Sequence, residues 1–355
     1  MNNKIKELQT RLPEGTDSFI SLDEKTVLYL TGCLMNDGAL FVTRDDAVLF
    51  VDFRYIEAAS EEAKNCRVEM PEKNFYESIR SIMIERGIKT IGFEENKTTV
   101  ALLERQKKFL PDAEFVKAAG IITQMTEIKS EYEFDLMAHA ESIGDAALAD
   151  VLPRITYDMT ETDVALELEY FMRKHGAQGL SFPTICVSGT ASSRPHGEPR
   201  NVKLERGFLT MDFGCIYKGY CSDMTRTVCI GEPDAEMKKV YNTVLKAQLS
   251  AIDYITNGGR DCGEADKVAR DIINSAGYEG KFGHSLGHGI GIYVHESPRL
   301  STRAFGIELK KGHTFSVEPG IYIEGKYGVR IEDVLQIREN GVLNVAKSPK
   351  ELIVI

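Results

Sequence analysis

Short apolar runs alternate with amphipathic stretches over roughly the first third of the chain. Apolar runs of about four to eight residues are typical of buried strands, whereas apolar residues repeating every three or four positions are typical of helices. The runs interpreted as strands are TVLYLTG, ALFVT, AVLFVD, KTIGFE and AEFVKA, and the stretches interpreted as helices are YIEAASEEAK, NFYESIRSIMIERG and TVALLERQKKFL. The alternation predicts a compact α/β domain of roughly one hundred residues that ends near Thr123 to Ile128.

In the rest of the chain, the same order of predicted secondary-structure elements occurs twice. Two helical patterns precede a strand-rich region, and two further helical patterns precede a second one. The helices are predicted at about 130–152, 161–175, 234–257 and 263–276, and the strand-rich regions at 183–188 with 207–230 and at 282–295 with 313–338. Two related halves packed against each other would place a functional site at the seam between them.

Composition and charge indicate the kind of protein and which binding partners are disfavoured. The 355 residues are 43% hydrophobic and 27% charged, which is ordinary for a globular protein, and the length favours two domains. A net charge of -11 disfavours nucleic acid and anionic membrane as partners. The polar start of the chain lacks a signal-peptide core, and no run approaches the roughly 18 apolar residues of a membrane span. Seven scattered cysteines without a CxxC pair indicate reduced thiols, so we expect a cytoplasmic protein.

Four carboxylates and one imidazole in the second part of the chain have the types and spacing of a two-metal site. They are Asp212, Asp223, His288, Glu318 and Glu332. Gathered in one pocket, they would carry too much like charge without cations. Two divalent metals about 3.5–4 Å apart can share one hydroxide and hydrolyse an amide bond. The pattern therefore favours a metallopeptidase.

The two aspartates flank a turn-like stretch, 216–219. A tight hairpin centred near Tyr217 and Lys218 would make residues whose numbers sum to about 435 face each other, with Cβ atoms roughly 4.5–5.5 Å apart. Asp212 and Asp223 meet that condition. Taken alone, both could equally point at solvent.

The other candidate ligands have ordinary interpretations as well. His288 lies between glycines, where a single histidine is more often structural, but His284 and His295 lie nearby. Either glutamate alone could be a surface residue. Hard oxygen ligands with one imidazole suit Mn²⁺, Co²⁺, Fe²⁺ or Zn²⁺.

An ordered set of motifs carries a resemblance to a known family. The motifs are YLTG and LFVDFRY in the first part, and SFPTICVSG, SRPHGEP, MDFG, SDMTRT, GHSLGHGIG, VHESPR, VEPGIY and GVRIED in the second. The chain resembles the pita-bread metallopeptidases, and within them the Xaa-Pro peptidases of the prolidase and short bacterial aminopeptidase P types. The resemblance implies a creatinase-type N-terminal α/β domain at 1–124. It also implies an α+β pita-bread catalytic domain with two pseudo-symmetric halves at 125–355.

The resemblance also implies the metal ligands. Asp212 matches the bidentate ligand of one metal, and Asp223 and Glu332 match the bridging carboxylates. His288 and Glu318 match the ligands that complete the other metal. Two divalent ions per subunit are expected, with Mn²⁺ first and Co²⁺, Fe²⁺ or Zn²⁺ as alternatives.

Five further residues match non-ligand positions of the family. His196 and His295 match histidines that contact the substrate and stabilise the tetrahedral intermediate, and His284 matches one close to the metals. Arg299 matches an arginine proposed to hold the substrate, and Arg330 matches one near the second bridging glutamate. All five are expected to take part in substrate binding.

The activity implied is cleavage of the peptide bond between an N-terminal residue and proline. A metal-bridged hydroxide would attack the carbonyl, and Glu318 would shuttle the proton to the prolyl nitrogen. Short proline-containing peptides are the expected substrates, and the family resemblance favours a homodimer.

Alternatives stay open within and outside this class. A dipeptidase must hold a free carboxylate, for which Arg299 or Arg303 could serve, whereas an aminopeptidase P trims longer peptides. A methionine aminopeptidase shares the five ligands but lacks the extra N-terminal domain and the VHESPR segment. A non-catalytic peptide-binding relative would lack ligands and retain no stoichiometric metal.

Overall fold

The computed structural model describes residues 3–355, which form two compact units, residues 3–126 and 127–355. Each unit has its own apolar core. No helix within residues 3–355 is both long and apolar enough to cross a membrane.

The first unit is a six-stranded mixed sheet with helices. Its strands are β1 Ser18–Ser21, β2 Ala39–Thr43, β3 Ala47–Phe50, β4 Arg67–Glu69, β5 Thr90–Phe93 and β6 Glu114–Lys117. Its helices are α1 Lys4–Arg11, α2 Glu24–Thr31, α3 Ile56–Glu62, α4 Phe75–Arg86, α5 Val100–Phe109 and α6 Ala119–Glu127, the last of which extends into the first residue of the second unit. The strand order is β4-β3-β2-β1-β5-β6, with β1, β5 and β6 parallel. The α/β class predicted for this part of the chain is confirmed.

One prediction in this unit is wrong, because TVLYLTG lies in helix α2 and not in a strand. The side chain of Asp23 accepts a hydrogen bond from the backbone N–H of Thr26, which begins the helix, and Gly32 ends it with a φ of 78°. The most buried residues, including Val27 and Leu30, follow helical spacing. A short apolar run does not distinguish a buried strand from a buried helix, and the flanking cap residues decide it here.

The second unit contains the two predicted pairs of helices and the strands that follow each pair. The helices are α7 Glu131–Val151, α8 Glu161–Lys174, α9 Ala235–Thr256 and α10 Cys262–Ile273. The strands after α8 are β7 Gly179–Leu180, β8 Ile185–Ser188, β9 Gly207–Phe213, β10 Cys215–Tyr217, β11 Tyr220–Cys221 and β12 Met224–Ile230. The strands after α10 are β13 Gly287–Gly289, β14 Glu296–Leu300, β15 Thr314–Val317, β16 Gly320–Ile323, β17 Tyr327–Arg330, β18 Asp333–Arg338 and β19 Gly341–Asn344.

The two halves of the second unit meet along β12. The main sheets are β12-β9-β8 in the first half and β14-β13-β15-β18-β19 in the second. The backbone N–H of Glu332 donates to the carbonyl of Thr225 at 3.1 Å, and the hydroxyl of Thr227 donates to the carbonyl of Arg330 at 2.9 Å. These hydrogen bonds bring the segment between β17 and β18 onto β12. The predicted carboxylate regions of both halves therefore come together.

Candidate metal centre

The five candidate ligands lie on strands or at strand ends of the second unit. Asp212 lies on β9, and Asp223 immediately precedes β12. His288 lies on β13, Glu318 immediately follows β15, and Glu332 lies between β17 and β18. All five line one cavity of about 1320 Å³. The structure thus brings together residues that are up to 120 positions apart in the sequence.

The predicted register of the hairpin, in which Asp212 faces Asp223, is wrong by two residues. Asp212 faces Thr225, and the two-residue turn is centred on Lys218 and Gly219, whose φ angles are 46° and 84°. Positive φ at both central positions matches the twist of a tight hairpin. Asp223 is therefore displaced along its strand from the position opposite Asp212, although both aspartates still line the cavity.

His288 is held between two neighbouring strands that approach very closely. A Cβ atom added to Gly287 would lie 1.9 Å from the carbonyl oxygen of Ser316, and one added to Gly289 would lie 2.1 Å from that of Ser297. Real side chains do not tolerate such distances, so both positions require glycine. Glycine has no Cβ atom and therefore permits this close approach of the neighbouring backbones.

Replacing Gly289 by alanine is therefore expected to push β14 away from β13 and move the imidazole of His288. A misplacement of about 1 Å at a catalytic site costs roughly a hundredfold in rate. We expect kcat/KM to fall by about that factor. Gly283→Ala is the matched control, because no atom lies within 4 Å of its added Cβ and its φ is unstrained. Equal activity of the two variants would contradict this account.

The imidazole of His288 and the carboxylates of Asp223 and Glu332 converge within reach of a single cation, and the carboxylate of Glu318 lies beside the same imidazole. His288 Nε2 lies 3.6 Å from Asp223 Oδ2 and 3.3 Å from Glu318 Oε1. One ligand atom each from Asp223, His288 and Glu332 lies within 4.8 Å of the other two. The hydroxyl of Ser316 donates to Glu318 Oε1 at 3.2 Å and accepts from the backbone N–H of His288 at 3.1 Å. This hydroxyl fixes the glutamate relative to the histidine strand.

Burial and mutual repulsion raise the pKa of three acids that line the cavity, Asp223, Glu318 and Glu332. Burial raises the pKa of Asp223 well above its ordinary value, and the neighbouring charges of Glu332 and Asp212 raise it further. Burial and the charge of Glu318 raise the pKa of Glu332 in the same way. The pKa of Glu318 rises to about 8, mainly through burial. Burial lowers the pKa of His288 to about 4, so the imidazole is neutral near pH 7, as a metal ligand must be.

Two buried oxygens support the fit of this site to metal ions. Within residues 3–355, neither Asp212 Oδ1 nor Glu332 Oε1 has a hydrogen-bond partner. Their companion oxygens are occupied, because Arg330 Nη2 donates to Asp212 Oδ2 at 2.6 Å and the hydroxyl of Thr225 donates to Glu332 Oε2 at 2.7 Å. A buried carboxylate oxygen without a donor is costly unless a cation binds it. The donor set of carboxylates with one imidazole suits a hard or borderline divalent ion.

The other predicted site residues divide into two groups. His196, His295 and Arg299 are exposed and line the cavity, with the His295 ring 4.3 Å from that of His288 at 72°. Arg299 faces His288 across β13 and β14. Arg303 is exposed and is not among the described residues that line the cavity. Of the two arginines considered for binding the free carboxylate of a dipeptide, the structure therefore favours Arg299.

The second group, Arg330 and His284, is buried or half-buried and bonded to protein atoms. Arg330 is paired with Asp212 and also donates to the hydroxyls of Thr225 at 3.0 Å and Tyr322 at 2.7 Å. The ring nitrogens of His284 lie 2.9 Å from the carbonyl of Ser285 and 2.9 Å from the Tyr322 hydroxyl. Both residues line the cavity, yet most of their hydrogen bonds orient its wall.

Sequence reasoning missed several residues that support the site. Tyr322 links Arg330 to His284, and Ser316 links Glu318 to His288. Alternation along β15 places residue 316 on the same face as residue 318, so the strand pattern could have predicted that Ser316 lies beside Glu318. Glu141 on α7 is fully buried and accepts from the backbone N–H of Asp223 at 3.3 Å. No local pattern connects these two residues, which are far apart in the sequence.

Comparisons with known proteins agree with this geometry. Residues 135–339 match the model of metallopeptidase family M24, and residues 4–128 match the creatinase/prolidase N-terminal domain. An uncharacterized peptidase of Bacillus subtilis is 40% identical over 96% of both chains. A solved Xaa-Pro dipeptidase from Bacillus anthracis is 38% identical over 99% of both chains, with a TM-score of 0.93. An X-Pro aminopeptidase from Thermotoga maritima is 35% identical over 98% of this chain and 99% of its own, with a TM-score of 0.91. The chain therefore belongs to metallopeptidase family M24 and carries the creatinase/prolidase N-terminal domain of that architecture.

Proposed function

We propose that this chain is a dinuclear-metal exopeptidase that cleaves the bond between an N-terminal residue and proline. The observation that carries the proposal is the cluster of four carboxylates and one neutral imidazole in the wall of a large cavity. The full-length likeness to a dipeptidase and an aminopeptidase that both act on Xaa-Pro bonds gives the substrate class. Membership of family M24 makes the chain a metalloexopeptidase of the prolidase type and implies divalent metal ions.

Asp212, Asp223, His288, Glu318 and Glu332 would hold two such ions, with Mn²⁺ as the first choice. Bound metal would polarise the scissile carbonyl and lower the pKa of a water molecule toward neutrality. The assignment of residues 1–124 and 125–355 as creatinase-type and catalytic domains belongs to the same proposal. So does assembly as a homodimer, which light scattering measures directly.

The protein side chains then position the substrate and move one proton. The ionised form of Glu318, which bound cations would favour against the effect of burial, takes a proton from the attacking water and returns it to the leaving prolyl nitrogen. His295 and His196, exposed in the cavity, donate hydrogen bonds to the charge that develops on the carbonyl oxygen. Arg330 holds Asp212 by a buried ion pair and keeps one oxygen of that carboxylate free for metal. Because the nitrogen of proline in a peptide has no hydrogen, a site that acts on the carbonyl suits this bond.

Hydrolysis of a dipeptide Xaa-Pro beside a longer Xaa-Pro-Yaa peptide, with Mn²⁺ and then Co²⁺, tests the function. A matched Xaa-Ala peptide controls for the proline requirement. Cleavage of either proline peptide but not of the alanine peptide is expected. No cleavage of either proline peptide by protein that contains metal would overturn the proposal.

The same assay distinguishes a dipeptidase from an aminopeptidase P. Arg299 lines the cavity wall opposite His288, where it could hold a free carboxylate. If the dipeptide alone is cleaved, Arg299→Ala is expected to lower kcat/KM about 10- to 100-fold, the worth of one charged hydrogen bond. Arg303→Ala is the control and should leave it unchanged. Cleavage of the longer peptide with no effect of Arg299→Ala would make the chain an aminopeptidase P.

A further inference from the structure

A buried ion pair joins the start of the second unit to the loop that carries His295. Lys129 Nζ lies 2.8 Å from Glu296 Oε2, and the two side chains are 1% and 5% exposed. Burying two charges costs free energy that their attraction often does not repay, so such a pair is weak evidence of a role in stability. A role in fixing the conformation of the loop that carries His295 explains the buried pair better.

The lysine is anchored on its own side by the backbone. Its N–H donates to the carbonyl of Gly312 at 2.8 Å. The contact is tight, because a Cβ atom added to Gly312 would lie 2.5 Å from Ile128. Its ammonium also lies 3.5 Å from the carbonyl of Glu127. Lys129 is therefore a fixed point, placed between α6 and α7.

The glutamate organises the turn on the other side. Its Oε1 accepts from the backbone N–H of Tyr293 at 3.0 Å, which closes the turn 293–296. Its carboxylate fills the space where a side chain at position 291 would lie, because an added Cβ on Gly291 would be 2.5 Å from Oε2. Val294 and His295 lie inside this turn and line the catalytic cavity. The position of His295 thus depends on where the Glu296 carboxylate is held.

We propose that Lys129 and Glu296 are positioning residues that hold His295 toward the scissile bond. The inference rests on the proposed function, because it assigns the pair a role in that same reaction. Lys129 is not among the described residues that line the cavity, so it would act through Glu296. The lysine is held in place because it lies two residues after the end of α6, where its own backbone N–H is bonded to Gly312.

The first test is Lys129→Met, which keeps the length of the side chain and removes its charge. We expect kcat for an Xaa-Pro peptide to fall about tenfold to a hundredfold, with little change in KM and in metal content. Lys267→Met is the matched control, because it breaks a Lys–Asp pair whose side chains are 53% and 57% exposed. If Lys129→Met does not fold, Glu296→Gln takes its place, since the amide oxygen can still accept from Tyr293.

A double-mutant cycle with His295→Ala decides between positioning and general structural support. If the pair acts through His295, Lys129→Met adds little loss of kcat in the His295→Ala background. An equal loss in both backgrounds, or an unchanged kcat with only a lower melting temperature, would overturn the inference. Wild-type protein that fails to cleave Xaa-Pro peptides would instead overturn the proposed function, so the two failures are distinguishable.

Discussion

Replacing Glu318 by alanine is expected to reduce hydrolysis of Xaa-Pro peptides by about a thousandfold or more. A positioned general acid–base alone contributes about 10²–10⁴ in rate, and this variant also removes a proposed metal ligand. Glu318 is suited to the role because it lines the cavity and because one of its oxygens is fixed by Ser316. Its other oxygen lies 3.9 Å from His284 Nδ1.

The measurement is kcat/KM with Mn²⁺ for wild type, Glu318→Ala and Glu324→Ala. Glu324 is an exposed glutamate six positions along the chain, so it controls for the loss of one negative charge nearby. Glu318→Gln keeps the shape and should also be inactive, because an amide cannot accept the proton. Asp223→Ala should be inactive for want of a ligand. Unchanged turnover in Glu318→Ala or Asp223→Ala would contradict the mechanism.

The regular elements of the second unit could be predicted from the sequence because each has strong local signals. Helix α8, for example, begins at a capping box in which the side chains of Thr160 and Asp163 each accept from the other's backbone N–H. The family motifs then identified the five candidate ligands, all of which line one cavity. Local signals and the order of the motifs therefore predicted most of the fold and a set of five residues that share one cavity.

The errors arose where geometry is set by contacts that the sequence does not display. The run TVLYLTG has no period long enough to separate helix from strand, so the cap at Asp23 decided it. The hairpin register depended on which two residues form the turn, and Lys218 with Gly219 is not the usual Asn-Gly signal. Glu141 bonds to the backbone of Asp223 and Lys129 pairs with Glu296 through tertiary contacts, which no spacing rule predicts.

The second large effect expected is on stability when the metal is removed. Three buried acids have raised pKa values because burial and mutual repulsion oppose their charged forms. The fold therefore holds groups of like charge together at a cost in folding free energy, which bound cations would offset. Functional sites commonly reduce stability in this way. Stripping the metal with a chelator should abolish activity, and adding Mn²⁺ back should restore it.

The stability change follows from mass action. A ligand at 100 times its Kd stabilises the folded state by about 2.7 kcal/mol, which corresponds to roughly 5–10 °C in Tm for a unit of this size. The double variant Asp223→Asn/Glu332→Gln is the control, because it removes both the repulsion and the proposed bridging ligands. Without metal it should melt above metal-free wild type, and Mn²⁺ should not shift it. The order of stabilities therefore reverses when Mn²⁺ is added, and this reversal distinguishes a metal site from a structural acid cluster.

Two outcomes would contradict this prediction. A metal-free variant no more stable than metal-free wild type would show that the acids do not repel each other. Equal shifts of Tm by Mn²⁺ in the variant and in wild type would place the metal elsewhere.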